Sequence, residues 1–473
     1  MLFSSLEFLY LFLPLTLLLY YTLPLRWRNP VLLVFSLIFY GWGEPVYVFL
    51  MVFTILVDYA AGLLIERAQT DGGRRGRLIA AIVINLGLLA FFKYSGFILD
   101  NLRLIPGLSF LPAFSVPLPI GISFYTFQAL SYVIDVYRRE VKAQRDPVAF
   151  GTYVTLFPQL IAGPIVRYSD VDEQLMRRSH CVLAAASGAR TFICGLCKKV
   201  LLANTAGSIW AAMRDMPTDQ QTTLGAWLGI ICFTIQIYFD FSGYSDMAIG
   251  LGRMLGFRFP ENFYYPMTAR SVSDYWKRWH ITLSTWFREY VYIPLGGNRR
   301  GKGRTYLNLL TVWVLTGIWH GANWNFVLWG LYFFALLAME RLFLGRLLDQ
   351  LPRAVGHAWT LVCVVFSFYI FVFDASLPTL SGAAAMQYLG VLFGRGGAGF
   401  ANGLAVYELV RNLPLMILCA VGMTPLPKTL FWRAYEKSRV TAWGSVAFCV
   451  IGLLLCTAYL VDSSYNPFLY FRF

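Results

Sequence analysis

The chain has 473 residues, of which 58% are hydrophobic, 17% aromatic and only 14% charged, with a formal net charge of +14. Soluble globular proteins carry about 25% charged residues, so the composition excludes a water-soluble domain. With no folded polar domain to carry a binding surface it argues against a nucleic-acid partner, and the Lys and Arg excess is read as marking cytoplasmic loops and contact with membrane lipids.

Residues 6–24 form a first apolar span. It has no basic leader and no small-residue cleavage site, so it reads as a retained span. Further spans follow at 30–42, 45–65, 78–98 and 117–137. Basic clusters follow the first (Arg26, Arg28), third (Arg67, Arg74, Arg75, Arg77) and fifth (Arg138, Arg139, Lys142, Arg145) spans, and the other gaps are poor in charge. The positive-inside rule then puts the N-terminus outside and these three loops in the cytoplasm.

Residues 147–166 are apolar but contain Phe157-Pro158-Gln159 and Ala162-Gly163-Pro164. They are expected to form a broken or re-entrant segment, which persists only where protein or water satisfies the freed backbone. Residues 182–207 are amphipathic, with Lys198 and Lys199 inside, and 222–252 are long enough to span yet carry Gln236, Asp240, Ser242, Ser245 and Asp246. More spans are expected at 306–320, 324–345, 357–377, 405–423 and 441–462, with cytoplasmic basic loops at 341–353 and 428–439. The expectation is an all-α polytopic membrane protein with about 11–13 transmembrane or re-entrant helices. One membrane domain is expected over 1–473: N-terminal spans 1–145, a core 146–345 and C-terminal spans 346–473.

Five of the eight cysteines (Cys232, Cys363, Cys419, Cys449, Cys456) lie in apolar runs and read as small hydrophobes. Cys194 and Cys197 form a C-x-x-C with no second pair or nearby His, and no H-E-x-x-H or close His cluster occurs, so no metal site is expected.

The polar residues concentrate between Asp274 and Trp324, which holds two of the four histidines, His280 and His320. Trp276, His280 and Ser284 share one face if the segment is a helix, and the flanking tryptophans and cations suggest an interfacial helix. His280 is open to a site role or a packing role. The Pro294–Arg304 loop is Gly-rich and basic. Its glycines offer free N–H groups to an anion, and Arg299, Arg300 and Lys302 suit the phosphates of a donor such as coenzyme A. The same residues equally suit an ordinary cytoplasmic loop. The apolar run into His320 places that residue at the end of a short helix or within a broken one; its imidazole is open to acting as general base on a hydroxyl with Asn323 nearby, or to a hydrogen bond between helices. Gly317 and Gly321 are expected to leave room for a substrate. Asp240 is open to helix-to-helix bonding or a direct role, since acids within a span default to function. His180 and His357 read as solvated or interfacial.

These segments carry a resemblance. Leu118–Tyr125 (LPIGISFY), Ser131–Arg138 (SYVIDVYR), Phe157–Ile165 (FPQLIAGPI), Gln236–Gly252, Glu261-Asn262-Phe263, Trp276–Tyr290, Pro294–Arg299 and Trp319–Trp324 (WHGANW) resemble the membrane-bound O-acyltransferase family, in particular its bacterial alginate O-acetyltransferase branch. The ending NPFLYFRF at 466–473 resembles it too, whereas about 350–440 carries no matching motif. The resemblance implies a ring of helices around a thin centre and a multi-pass protein of the bacterial inner membrane. It makes His320 the catalytic histidine and His280 the second polar position. Trp279, Asn323, Arg278 and Asp240 would line or orient the site. It further implies no bound cofactor, a cytoplasmic acyl donor, acetyl-CoA, and periplasmic acetylation proteins serving a polysaccharide acceptor. Alginate is the expected polymer; acetylation of bacterial cellulose and D-alanylation of teichoic acid are the alternatives. A transporter without covalent chemistry and a scaffold that tolerates loss of both histidines are the readings from other classes.

Overall fold

A bilayer offers no water to backbone N–H and C=O groups, so an apolar chain satisfies them within helices. The computed structural model describes residues 1–114, 116–217, 219–373, 382–462 and 466–467, and every regular element among them is helical. Most of the NPFLYFRF ending lies outside the described residues. Among the described residues eight helices are long and apolar enough to cross a membrane: Tyr47–Glu66, Asp71–Arg103, Val182–Arg214, Thr223–Met254, Trp324–Gln350, Arg353–Val372, Gly403–Gly422 and Trp443–Asp462. The chain is a multi-pass, all-α membrane protein.

The remaining expected spans fall on shorter helices: Phe8–Thr22, Arg28–Gly41, Ile122–Arg138 and Lys302–His320. The 147–166 segment breaks as its prolines demand, into Pro147–Thr155 and Phe157–Leu160 followed by non-helical chain. Helices that were not anticipated include Tyr168–Met176, Gly382–Leu392 and Leu426–Lys437. Gly382–Leu392 is too short for a span-length window, and Leu426–Lys437 occupies what reads as a basic loop. The latter is amphipathic, so its charges mask its periodicity.

The described residues divide into two units. The first comprises Met1–Phe192, Tyr244–Glu261 and Arg288–Tyr290. Phe3, Phe8, Phe12, Phe39 and Phe157 form its aromatic core, with ring centroids 4.9–6.2 Å apart. Inside it Asn85 donates to Asp58 at 2.8 Å, and Tyr290 donates to Asp135 at 2.8 Å. His180 is half-buried edge-on against Tyr20 at 5.5 Å, not solvated as the charged stretch around it suggests.

The second unit comprises Ile193–Gly243, Asn262–Phe287 and Val291–Phe473. Its core is built from Trp210, Phe233, Trp276, Trp313, Trp329, Phe333, Phe368 and Tyr388 with their aliphatic neighbours. The Lys302–His320 and Trp324–Gln350 helices run antiparallel and touch at two glycines. A Cβ on Gly317 would collide with the Phe326 carbonyl, and one on Gly330 with the Trp313 carbonyl. Small residues that let backbones approach are a common device of membrane helix pairs.

Candidate active site

The Trp276–Ser284 helix face foreseen from spacing does not form. Val272–Trp276 ends after five residues, and Ile281–Phe287 starts a new helix. His280 sits between them with φ +45°. A left-handed backbone is uncommon outside glycine, although His is among the residues enriched there. The turn is tied to a neighbouring extended stretch: Ile281 N–H donates to Asn262 O at 3.0 Å, and Tyr264 N–H donates to Arg278 O at 2.9 Å. Trp276, Trp279 and His280 are consequently buried, and the segment is no interfacial helix. Burying the rings against Trp313, Trp329, Phe333 and Phe368 gains more than leaving them at headgroup depth.

Asn262, itself 1% exposed, is the residue that fixes the His280 ring. Its Oδ1 lies 3.1 Å from His280 Nδ1, and it accepts from Thr282 N–H at 3.3 Å and Thr282 Oγ1 at 2.9 Å. A backbone N–H only donates, so the atom facing Thr282 must be the amide oxygen. Nδ1 therefore carries the hydrogen, and the lone pair of the neutral imidazole sits on Nε2. That atom is buried and has no hydrogen-bond partner among the described residues. An unmet buried polar atom costs about 1–3 kcal/mol, a cost that a ligand at this position removes.

His320 closes the Lys302–His320 helix, one of the two placements the sequence allows, and is 6% exposed. Trp319 stands between the two histidines, its centroid 6.0 Å from His280 and 5.0 Å from His320. Phe241 meets the His280 ring edge at 4.8 Å, and Trp329 and Phe371 meet His320 at 4.9 and 5.3 Å. Two imidazoles thus share one aromatic chamber. Aromatic walls exclude water, and a dry wall strengthens whatever hydrogen bonds form inside it.

The other sequence candidates separate. Trp279 stacks on Tyr275 at 5.6 Å and packs on Phe263 at 5.0 Å, forming the wall behind His280. Asn323 caps the following helix by accepting from Trp324 N–H at 2.7 Å. Arg278 pairs with Asp274 at 2.9 Å and lies over the Tyr264 ring at 5.9 Å, so it secures the turn. Asp240 forms a 2.8 Å ion pair with Lys199, each side chain 2% exposed, which favours the helix-to-helix role over a direct one. His357 is half-buried against Ala269 O at 3.1 Å. Gly317 and Gly321 give no clearance to a substrate, because Cβ atoms there meet Phe326; they serve helix packing.

The basic loop also differs from expectation. Gly296 and Gly297 spend their N–H groups on Ile293 O and Tyr292 O, both at 2.9 Å, so these two glycines offer an anion no free donor. Any anion there meets the exposed side chains of Arg299, Arg300 and Lys302 instead. These lie at the far end of the helix from His320, roughly 27 Å away at about 1.5 Å per residue. The structure therefore gathers His280, His320 and Trp279 and keeps the cationic loop apart. Among the described residues no group of three or more His, Cys, Asp or Glu is placed to hold a metal.

The family of membrane-bound O-acyltransferases matches residues 131–382, a range that holds both histidines and Asn262. The chain belongs to the membrane-bound O-acyltransferase family. This acyltransferase is 40% identical to the "Probable alginate O-acetylase AlgI" of Pseudomonas putida over the whole of both chains. It is 44% identical to the Azotobacter vinelandii protein of the same name over 75% of this chain and 71% of that one. It is also 36% identical to a peptidoglycan O-acetyltransferase of Helicobacter pylori over 100% of this chain and 98% of that one.

The sequence reading named both histidines but not Asn262, Trp329, Phe371 or Phe241. Asn262 had a signal, the Glu261-Asn262-Phe263 motif, but nothing in one dimension ties it to a histidine eighteen positions on. The aromatic residues had none, since the chain is 17% aromatic throughout.

Proposed function

We propose that this acyltransferase moves an acetyl group from a cytoplasmic donor, acetyl-CoA, through the bacterial inner membrane for O-acetylation of an exopolysaccharide, with alginate as the polymer. The observation that carries the chemistry is the pair of histidines in one buried aromatic chamber, with an open Nε2 lone pair on His280. The end-to-end likeness to a probable alginate O-acetylase supports the polymer.

In this reading His320 takes the proton from the acceptor hydroxyl as its oxygen attacks the acetyl carbonyl. A base so placed contributes about 10²- to 10⁴-fold. The tetrahedral intermediate expels the donor thiolate as the C–S bond breaks, and the imidazolium returns its proton to the sulfur. His280 accepts at Nε2 a hydrogen bond from a neighbouring donor group of the acceptor and so orients it. Trp279 backs the His280 turn, while Arg278, Asn323 and Asp240 hold the elements in place. The hydroxyl belongs to the polymer or to a serine of a periplasmic acetylation protein. Arg299, Arg300 and Lys302 attract the donor at the cytoplasmic face.

The near-complete likeness to a peptidoglycan O-acetyltransferase supports a second acceptor, the glycan of the cell wall. One experiment tests both: a deletion strain complemented with wild type or His320→Ala at equal membrane abundance, with ester-linked acetate measured on secreted polymer and on peptidoglycan. Acetate restored on the polymer by wild type alone supports the first acceptor, and on peptidoglycan the second. Full restoration by His320→Ala rules out that histidine as the base.

A further inference from the structure

A cavity of about 530 Å³ opens in the second unit beside the start of the Val272–Trp276 helix. Arg270, Arg341 and Arg353 line it, facing two acids, Glu340 and Asp349, and a set of leucines. Nothing in the acetyl-transfer chemistry above uses it.

The cations are more available than the acids. Glu340 is 7% exposed, and its carboxylate is already committed. It accepts from Val272 N–H at 2.6 Å, Ser273 N–H at 2.9 Å and Ser273 Oγ at 2.7 Å. That leaves Asp349 as the acid opposing three guanidiniums. Arg270 and Arg353 have no ion pair among the described residues, and Arg341 donates only to the neutral Asn298 Oδ1, at 3.1 Å. The wall is also fixed: a Cβ on Gly356 would stand 2.7 Å from Arg270 O, so the Arg353–Val372 helix packs directly on the Arg270 backbone. Guanidiniums are planar forks suited to phosphate oxygens and weakly hydrated, so several on one rigid wall favour such an anion over a carboxylate-free surface.

The position agrees. Arg341 and Arg353 belong to the basic stretch that the positive-inside rule puts in the cytoplasm. The Arg341–Asn298 bond ties the cavity to the Arg299–Lys302 loop on the same end of the helix pair. Leu309, Leu337 and Leu351 give the cavity an apolar side. We propose that this cavity is a binding site for a phosphate ester that carries an extended or apolar tail, held by Arg270, Arg341 and Arg353. Two sources share that chemistry: the phosphates of the acyl donor, an identity that rests on the function proposed above, and the headgroup of an anionic phospholipid.

The test uses the full-length protein in nanodiscs of phosphatidylcholine, with coenzyme A, inorganic pyrophosphate and added phosphatidylglycerol as probes. The variants are Arg270→Gln/Arg353→Gln and the charge-keeping Arg270→Lys/Arg353→Lys. Saturable coenzyme A binding, displaced by pyrophosphate and weakened at least tenfold by the Gln pair but less by the Lys pair, identifies the donor as the source. Phosphatidylglycerol retained by wild type and lost from the Gln pair, with coenzyme A unaffected, identifies the lipid. If neither coenzyme A, pyrophosphate nor phosphatidylglycerol separates the folded Gln pair from wild type, the proposal is overturned. If the Gln pair fails to fold, unchanged coenzyme A and lipid binding by a folded Lys pair and by Arg341→Gln overturns it instead. His320→Ala is carried through the same binding assay: it is expected to bind like wild type, so a failed acetylation reading and a failed anion site give different results.

Discussion

At the scale of single residues, His280 occupies a backbone conformation that most side chains avoid, and Asn262 makes it worthwhile. One amide oxygen receives three donors, two from Thr282 and one from the imidazole. Asn262→Leu should leave these donors unmet and let the ring turn. A misplacement of about 1 Å can cost roughly 10²-fold in rate, so polymer acetylation is expected to fall to a few per cent or less. Asn262→Asp keeps the acceptor and should retain more activity; equal loss in the two variants would show that the ring's tautomer is immaterial. A second expectation concerns Cys181, exposed just before the Val182–Arg214 helix. The backbone N–H groups of Ala184 and Leu183 hold its thiol below the ordinary range. Its thiolate fraction at a given pH is thus raised, and thiolate is the reactive form. Among the cysteines, Cys181 should react first with a maleimide, and its advantage should shrink as pH rises past the ordinary thiol range. Mass spectrometry of the labelled peptides checks this.

At the scale of elements, two contacts hold the second unit's helices in register. The Gly317–Gly330 approach leaves no volume for a side chain. Gly330→Leu should push the helix pair apart, displacing His320 and Trp329 together. Overpacking typically costs about 1–3 kcal/mol and occasionally more, so a fall in thermal stability in detergent is expected along with loss of acetylation. A variant as stable and active as wild type would mean that the pair does not pack this way. The other contact is the buried Lys199–Asp240 pair. Lys199 also donates to Asn204 Oδ1 at 3.0 Å and to Pro467 O, and Asn204 donates to Asn466 at 3.2 Å, so this ammonium also holds a piece of the C-terminal segment. Removing one partner of a buried pair leaves an uncompensated charge and costs about 3–5 kcal/mol. Asp240→Leu alone should lower membrane abundance sharply, and Lys199→Met/Asp240→Leu should recover much of it. Absence of recovery would argue that Asp240 acts in the chemistry. The sequence exposed both charges but not their pairing, because forty-one positions separate them and only helix packing brings them to 2.8 Å.

At the scale of the whole molecule, topology follows from the distribution of charge. Reporter fusions after Arg145 and within 428–437 should report cytoplasm, and a fusion after Gly107 the opposite side. Inversion of all three would reverse the orientation, and with it the face on which the Arg299–Lys302 loop lies. The net charge of +14 predicts retention on anionic lipid that weakens with salt.

Sequence alone determined that the chain crosses the membrane repeatedly and where most helices begin and end. These properties are local: hydropathy over a span length, a proline that cannot continue a helix, a glycine after its last turn. It also held the family, since the Trp276–Tyr290 and Trp319–Trp324 motifs are contiguous strings. Only the tertiary structure decided that Trp276 and Ser284 do not share a helix, that Gly296 and Gly297 spend their N–H groups within their own turn, and that Asn262 sets the His280 tautomer. Each of these depends on which distant groups compete for one hydrogen bond or one volume. A sequence pattern records a residue's own preferences, whereas packing selects among them by what lies opposite.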